Sequence, residues 1–279
     1  MSGYEDYNRV SDVYDVTRQP LGVEIILGCL VSHGAPPAAT VLVDAGCGTG
    51  NYARALVSRV ARIEAVDLNP GMLEKARSKL AGAVEGGRVS FHQASIDALP
   101  LADASADAVM LNQVLHHLND NAAAGWPGVR AVLAEFARVL HPGGVVIINI
   151  CSHEQLTHAW WYLPLIPEAL SRLRDRHIPL RLLKKRMQEA GIGCIGSFVP
   201  VDGLMQGESY FNGHGPLDEN WRAGDSIWAL VSEAELERAL GQVRALDRSG
   251  KLEDYVKEND VRRKDIGQFT FLCGLKEPI

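Results

Sequence analysis

Acidic residues end two short apolar runs of the sequence, and glycines follow the first of them. The run Val41-Leu-Val leads into Asp44, and a second apolar run ends at Asp67. Three glycines come after Asp44 at every second position: Gly46, Gly48 and Gly50. Glycine lets the backbone turn tightly and approach a ligand, because no Cβ is present to collide with it. A carboxylate at the end of the second strand can accept hydrogen bonds from both vicinal hydroxyls of a ribose. These residues therefore predict a nucleotide site.

Asp67 also has a structural interpretation. A helix is expected to begin near Pro70, and an acid just before a helix can cap its first turn. The spacing of 17 positions between Gly50 and Asp67 favours the ribose role.

Three histidines follow apolar runs further along the chain: His116, His117 and His153. Imidazole titrates near neutral pH, so a histidine beside a reacting hydroxyl or ammonium group can take its proton. We expect all three at the carboxyl edge of the sheet, with His117 as the first candidate for a general base. Packing in the core or exposure to solvent is the alternative explanation for each of them.

Strands that alternate with helices are the elements that would position these residues. Between residues 41 and 150, five strand-like runs alternate with helical segments, which is typical of a parallel, doubly wound α/β sheet. Strand, glycine turn and helix form the opening of a nucleotide-binding βαβ unit. The third glycine of a dinucleotide fingerprint would fall at position 51, where this chain has Asn51.

Four motifs carry a resemblance to a known family. The acid of Asp44 followed by x-G-x-G-x-G resembles the first motif of the class I S-adenosylmethionine-dependent methyltransferases. The run from Asp107 to Leu118, D-A-V-M-L-N-Q-V-L-H-H-L, is similar to the fourth-strand motif of their small-molecule branch. Arg138-Val-Leu-His-Pro-Gly-Gly resembles the turn into their fifth strand, and Tyr14-Asp-Val-Thr-Arg18 resembles their entry segment.

The resemblance implies S-adenosyl-L-methionine as the cofactor and a set of residues that bind it. The predicted cofactor-binding residues are Tyr14, Arg18, Asp44, Gly46, Gly48, Gly50, Asp67, Leu68, Met72, Ser95, Ile96 and Asn112. Tyr14 and Arg18 are expected near the methionine end, or alternatively on a helix that only packs on the domain. Met72 would pack on the adenine or belong to the core. Ser95 stands where the family often has an aspartate, so the backbone of Ile96 is the other expected contact to the adenine ring.

The family architecture predicts one domain over residues 1–279, a Rossmann-like seven-stranded sheet that is mostly parallel with an antiparallel last strand. Its parts are a helical cap over 1–34, a cofactor-binding core over 35–150, a helical and loop lid with a sixth strand near 194–201 in 151–265, and the last strand in 266–279. Six aromatic residues fall in the predicted lid and suggest a cavity for a flat, apolar or cationic group: Trp160, Trp161, Tyr162, Tyr210, Phe211 and Trp221. Seven basic residues between Arg172 and Arg186 form solvated helix faces or a patch that steers an anionic substrate.

Composition limits the class of protein. The chain of 279 residues has a net charge of −6, which argues against binding of nucleic acid through bulk charge. It has no apolar run of membrane-spanning length, and its first residues lack the features of a signal peptide. The 5 cysteines are scattered without a C-x-x-C pair, which favours reduced thiols in the cytoplasm and no metal site.

The predicted function is therefore transfer of a methyl group from S-adenosylmethionine to an oxygen or nitrogen atom of a small molecule by in-line displacement. The acceptor is expected to be aromatic or anionic and to belong to secondary metabolism. C-methylation of a quinone-like or lipid acceptor is the main alternative. Methylation of arsenite, with Cys151 and Cys194 near the lid, and a non-catalytic cofactor-binding module are further ones. The sequence does not specify the oligomeric state.

Overall fold

A seven-stranded sheet forms the centre of the protein, as described by a computed structural model over residues 19–33 and 36–278. Its spatial order is β3-β2-β1-β4-β5-β7-β6. The strands are β1 (Val41–Ala45), β2 (Arg62–Asp67), β3 (Val89–Gln93), β4 (Ala106–Asn112), β5 (Leu140–Ile150), β6 (Ile192–Phe198) and β7 (Thr270–Lys276). Strands β1 to β5 are parallel, and β7 runs antiparallel to both β5 and β6. The predicted fold class is confirmed. Tyr14 and Arg18 lie outside the described residues.

The apolar runs form strands that are covered on both faces. Successive side chains of a strand point to opposite faces of the sheet. In β1, Leu42 therefore packs in one core cluster and Val43 in the other, and in β5 the same holds for Ile147 and Ile148. A strand buried on both faces reads as a continuous apolar run, which is why these strands were predictable.

Helices cover both faces of this sheet. They are α1 (Val23–His33), α2 (Asn51–Leu56), α3 (Pro70–Lys79), α4 (Ala81–Glu85), α5 (Pro127–Val139), α6 (His153–His158), α7 (Pro167–Arg176), α8 (Leu180–Glu189), α9 (Glu219–Ala223), α10 (Glu233–Arg248), α11 (Leu252–Asp260) and α12 (Arg263–Ile266). Helices α1, α2 and α3 bury apolar residues in the cluster on one face, whereas α5 and α8 bury theirs on the other. In α5 the buried positions Val129, Val132, Leu133 and Phe136 follow the helical repeat.

Two boundaries differ from the sequence-based expectation. The sixth strand was expected near 194–201 but spans Ile192–Phe198. It begins directly after Gly191, whose φ of 73° ends the preceding helix, and it ends before Pro200, which has no N–H for a strand ladder. The last strand begins at Thr270, because α12 and the turn at Gly267 (φ 62°) occupy the preceding residues.

Two structural layers make up the residues between β5 and β7. Helix α8 contacts α5 and β6 and so belongs to the layer on the sheet. The other helices, together with short 3₁₀ turns, lie above the carboxyl edge of the sheet, and we call them the lid. The 3₁₀ turns of the lid are Leu163–Leu165, Gly207–Phe211, Gly215–Leu217 and Ser226–Leu230.

Two serines start helices in this region, as their sequence patterns indicate. Ser152 and Gln155 form a full capping box at the start of α6. Ser232 accepts a hydrogen bond from the backbone of Glu235 at the start of α10. The carboxylate of Glu235 instead accepts from the first backbone N–H groups of α7 and so joins two lid helices. Over the described ranges, the helices are all too short or too polar to cross a bilayer.

Candidate active site

The glycine loop after β1 forms one wall of a cavity at the carboxyl edge of the sheet. Gly46, Gly48 and Gly50 all have positive φ angles, at 72°, 53° and 77°. A Cβ on Gly46 would lie 2.6 Å from a methyl carbon of Val114, so this residue must be glycine for packing reasons. A Cβ on Gly48 would meet no protein atom within 4 Å, and Gly48 lines the cavity. The loop therefore leaves space for a ligand at Gly48.

Asp67 is tied to this loop by its carboxylate. Its Oδ2 accepts a hydrogen bond from the backbone N–H of Gly48 at 2.8 Å, and its Oδ1 accepts from that of Asn69 at 2.9 Å. Asn69, and not Asp67, caps α3 by accepting from Met72. Burial raises the pKa of Asp67, while these backbone donors act in the opposite direction. The helix-cap alternative for Asp67 is thus wrong, because Asn69 caps this helix. The ribose role of Asp67 stays a prediction.

Asp44 carries a buried carboxylate that faces the cavity. The residue is 2% exposed, and its Oδ2 has no hydrogen-bond partner in the described part of the chain. Burial and the nearby charge of Asp67 raise its pKa to about 7, against a smaller opposing effect of the backbone N–H of Ala53. A buried acceptor of this kind is costly unless a donor reaches it, so Asp44 marks a place for a cationic or N–H group of a ligand.

Amide side chains line the same edge at the ends of β4 and β5. Both amide atoms of Asn112 are buried without a partner among the described residues. Gln113 adopts a φ of 55° and donates from Nε2 to Oδ1 of Asn149 at 2.9 Å. A non-glycine residue at positive φ is uncommon and persists only when its surroundings hold it there. Asn149 was missed by the sequence analysis, although a polar residue inside the apolar run of β5 was a usable signal.

Two of the three predicted histidines lie in the cavity. His116 and His117 line it from the 3₁₀ turn Leu115–His117 after β4, and their rings are 4.0 Å apart between centroids. His153 does not line it, and its Nε2 donates to the backbone carbonyl of His177 at 2.7 Å. The structure therefore brings His116 and His117 together at the site. His153 lies outside the cavity lining and contacts the backbone of His177.

His177 is a cavity residue that the sequence analysis did not single out. It follows α7, is 2% exposed and stacks on His116 with 4.6 Å between ring centroids and an angle of 10°. Its Nδ1 lies 2.9 Å from the carbonyl oxygen of Leu173, and burial lowers its pKa to about 4. The only local signal was a histidine at the end of an amphipathic helix, which does not reveal a cavity.

Only part of the aromatic group in the lid forms the cavity wall. Trp160 and Tyr162 line it, and the Tyr162 hydroxyl donates a short hydrogen bond to Oδ2 of Asp225. Trp161, Tyr210 and Trp221 do not line it but pack within the lid. The interpretation of all six aromatics as cavity residues is thus wrong for these three. It is wrong also for Phe211, which is 47% exposed.

A buried polar network holds the inside of the lid. Asp260 forms two hydrogen bonds with the guanidinium of Arg263, at 2.7 and 2.9 Å. The Tyr210 hydroxyl donates to the same carboxylate at 2.7 Å, and the Arg263 side chain lies over the Tyr210 ring. Because both charges are buried and paired, the network fixes the lid helices relative to each other.

The other predicted cofactor residues lie outside the cavity lining, at the ends of β2 and β3. Leu68 is 42% exposed, Met72 is buried at the start of α3, and Ile96 is buried in the core. Ser95 is half-buried, and its carbonyl accepts from Ala98. The Asp67–Gly48 bond connects this surface to the cavity, so both can belong to one elongated ligand site.

The basic segment lies on the outside of α7 and α8. Arg172 pairs with Glu168 and Glu235, and Arg186 pairs with Glu189. The exposure of Arg172 supports the solvated-face interpretation for it, whereas the Arg186 side chain is only 15% exposed. The thiols of Cys151 and Cys194 do not converge either, because Cys151 lines the cavity whereas Cys194 lies on β6. No group of three or more potential metal ligands occurs among residues 19–33 and 36–278.

Comparison with known proteins gives matches to methyltransferases. Residues 43–148 match the family model described as a methyltransferase domain. A malonyl-[acyl-carrier protein] O-methyltransferase from Serratia marcescens is 34% identical over 160 residues, which are 55% of each chain. A demethylmenaquinone methyltransferase from Clavibacter sepedonicus is 34% identical over 145 residues, covering 51% of this chain and 55% of that one. This chain thus spans about half the length of these curated relatives.

The fold is shared with solved structures over most of the chain. A protein from Anabaena variabilis, named as a methyltransferase of an antibiotic biosynthesis pathway, superposes with a TM-score of 0.69 at 20% identity. The match covers 90% of this chain and 96% of that one. At this identity the likeness concerns the fold alone.

Proposed function

Because this chain belongs to the class I S-adenosylmethionine-dependent methyltransferase family, we propose that it transfers a methyl group from S-adenosylmethionine to an oxygen or nitrogen atom of a small-molecule acceptor. One observation carries the proposal. A single cavity joins the glycine loop and Asp44 on one side to the apolar lid residues Trp160 and Leu163 on the other. Such a cavity can hold a methyl donor and an acceptor side by side.

The residues at the loop fit the cofactor by their chemistry. The partnerless Oδ2 of Asp44 suits an ammonium group, and the buried amide of Asn112 offers a donor and an acceptor. The open space at Gly48 suits the chain of the methionine moiety, and Asp67 beside it suits the ribose diol. When bound, the cofactor supplies a methyl carbon already activated by its sulfonium.

The protein itself would orient the acceptor, exclude water and remove a proton. Orientation of two reactants in one site can contribute roughly 7–11 kcal/mol to lowering the barrier. Trp160 and Tyr162, which line the cavity from the lid, would keep water away from the reacting atoms. His117, half-buried at the cavity edge, is our candidate for the general base, with His116 behind it.

Two relatives are named for different acceptors, malonyl-[acyl-carrier protein] and demethylmenaquinone. The apolar wall, which includes Leu156, Met205 and Phe269, would also suit a quinone ring, so C-methylation is the second candidate. We further propose a cytoplasmic location, since all five cysteines lie in the described part of the chain and none forms a disulfide.

The test uses purified protein, methyl-labelled S-adenosylmethionine and a cell extract separated by molecular size. We expect label in the small-molecule fraction, where NMR of the product identifies the atom that carries the methyl group. A new C–CH₃ bond would select the second candidate. Cofactor binding in calorimetry without transfer to any fraction would contradict the proposal and favour a binding module. Label in protein or RNA would contradict the small-molecule acceptor and redirect attention to the basic segment.

A further inference from the structure

His177 is held in one orientation by contacts on three sides. Its ring Nδ1 lies 2.9 Å from the carbonyl oxygen of Leu173, one helical turn earlier. Its own carbonyl accepts from Nε2 of His153 at 2.7 Å. The ring face lies against His116, almost parallel to it. With 2% of the residue exposed, the ring has no freedom to turn away from the cavity that it lines.

These contacts determine which ring nitrogen carries the proton. A carbonyl oxygen can only accept, so Nδ1 of His177 must be the N–H donor to Leu173. In the neutral ring the lone pair is then at Nε2. No hydrogen bond to Nε2 forms within the described ranges 19–33 and 36–278. Burial also lowers the pKa of His177 to about 4, so the ring is neutral at pH 7. His177 thus presents an acceptor and no donor at its remaining nitrogen.

The surroundings select the chemistry of the group that would meet this nitrogen. The cavity that His177 lines combines the imidazoles of His116 and His117 with apolar side chains, among them Trp160, Leu163 and Leu173. The acids that line the cavity are Asp44, near the glycine loop, and Asp225, whose carboxylate accepts from Tyr162 and from the backbone of Ile227. The described lining residues include no lysine or arginine. An uncharged hydroxyl donor on an apolar body therefore matches the site better than an anion does.

We propose that Nε2 of His177 accepts a hydrogen bond from a hydroxyl group of the acceptor, so that the substrate is an uncharged alcohol or phenol with an apolar body. This rests on the proposed function and narrows its acceptors to molecules that carry a hydroxyl group. His177 would be the residue that selects and orients the hydroxyl group within the cavity. A site built to bind a hydroxyl group discriminates strongly against an analogue that lacks it, because its buried partner is then left unpaired.

The first experiment reads the tautomer without any substrate. Protein labelled with ¹⁵N-histidine is studied at pH 7 by long-range ¹H–¹⁵N NMR, and the His177 signals are assigned by their loss in His177→Gln. We expect a protonated Nδ1 and an unprotonated Nε2 in the wild type. The opposite tautomer, or a doubly protonated ring, would overturn the inference whatever the activity.

The second experiment compares two probes, phenol and its methyl ether anisole, which lacks the hydroxyl donor. Binding is followed by NMR in the presence of S-adenosylhomocysteine. We expect the wild type to prefer phenol roughly tenfold, in keeping with one net hydrogen bond in a buried site, and the His177 Nε2 signal to shift with phenol alone. In His177→Phe, which keeps an aromatic ring but has no nitrogen acceptor, the preference should disappear.

His117→Phe is the matched comparison, since His117 lines the same cavity. Loss of the preference in His117→Phe but not in His177→Phe would assign the hydroxyl contact to His117 and overturn the proposal. Equal binding of the two probes to the wild type, or binding of neither, would do so as well. Should His177→Phe fail to fold, the wild-type Nε2 shift on titration with phenol decides the question.

Calorimetry with S-adenosylhomocysteine separates this inference from the proposed function. Tight cofactor binding and label transfer without a preference for phenol would leave the methyltransferase assignment standing and remove the hydroxyl contact. A preference for phenol in a protein that binds no S-adenosylhomocysteine would leave the hydroxyl contact standing and remove the methyltransferase assignment.

Discussion

The Asp67 carboxylate at the end of β2 accepts a hydrogen bond from the backbone N–H of Gly48 at 2.8 Å. One side chain thereby joins the predicted ribose site to the loop that lines the cavity. Replacement by alanine removes both a ligand acceptor and a support of the loop. We expect Asp67→Ala to weaken S-adenosylmethionine binding by about 10- to 100-fold, because hydrogen bonds to a charged group contribute about 1.5–3 kcal/mol. Calorimetry measures this, with the exposed Asp175→Ala as control; equal affinities would remove Asp67 from the site.

Two glycines of the same loop should respond differently to alanine. Gly46→Ala places a Cβ 2.6 Å from Val114 and should destabilise the fold, seen as a lower thermal midpoint. Gly48→Ala meets no protein atom, so its cost is limited to the positive φ, about 1–2 kcal/mol. We expect Gly48→Ala to remain folded at 25 °C yet to lose cofactor binding, because the methyl group points into the ligand space. Normal binding by a folded Gly48→Ala protein would place the cofactor elsewhere.

Asp44 makes the protein without cofactor sensitive to pH. Its pKa in the folded state, about 7, lies above its ordinary value of 3.8, so the folded state binds the proton more tightly than the unfolded state does. The stabilisation is complete below the ordinary value and is lost as pH rises through 7. We expect the free energy of unfolding to fall over pH 4 to 7 relative to Asp44→Asn, in which this dependence is absent. Urea denaturation at several pH values measures it, and parallel curves for the two proteins would refute the assignment.

Cofactor affinity should show the opposite trend at the same residue. An ammonium group of the ligand interacts with the ionised carboxylate, so binding by the wild type should strengthen as pH rises through 7. Asp44→Asn should bind more weakly and without this step. Calorimetric titrations with S-adenosylhomocysteine at pH 6 and 8 provide the measurement. A step of equal size in Asp44→Asn would show that another group titrates.

His177 should make the fold sensitive to acid. Its pKa is lowered from 6.5 to about 4, so the folded state favours the neutral ring. The stabilisation is present above 6.5 and is lost as pH falls toward 4, up to a few kcal/mol. We expect His177→Phe to lack this part of the acid destabilisation, whereas the exposed His141→Phe retains it. Denaturation curves at pH 7 and 5 test this, and an unchanged acid response in His177→Phe would contradict the burial effect.

The Asp260–Arg263 pair should be far more important for stability than the neighbouring surface pair. Arg263→Met leaves a buried carboxylate without its partner, which typically costs about 3–5 kcal/mol. Arg262→Met removes only an exposed contact to Glu154 and should cost less than about 1 kcal/mol. Thermal unfolding of the two variants compares them directly. Equal effects would mean that solvent already screens the inner pair.

Sequence alone was sufficient for the central strands of the sheet, because strands buried on both faces leave uninterrupted apolar runs. The glycine spacing after Val41–Ala45 likewise indicated the loop, since its backbone angles are possible for few other residues. The lid was different. Nothing local in Arg176-His177 indicates that the ring stacks on His116, because that contact depends on how α7 folds back over the 3₁₀ turn Leu115–His117.

The aromatic residues of the lid show the same limit. A high local content of tryptophan and tyrosine is common to a cavity wall and to a packed interior. Trp160 lines the cavity while Trp161, the next residue, packs behind it and donates to the backbone of Tyr210. Adjacent identical residues thus have different roles, and only the direction of each side chain separates them.

Ile150 at the end of β5 is paired with Thr270 at the start of β7. Between them the chain returns to the sheet once, as β6, which pairs with the other side of β7. The lid is therefore made of two separate connections, residues 151–179 before α8 and residues 199–269 after β6. The entropy of closing such connections changes slowly with their length. Both could be lengthened, shortened or exchanged while β5, β6 and β7 keep their partners. A new pocket could thus evolve by replacement of these two stretches, with the glycine-loop half of the cavity inherited unchanged.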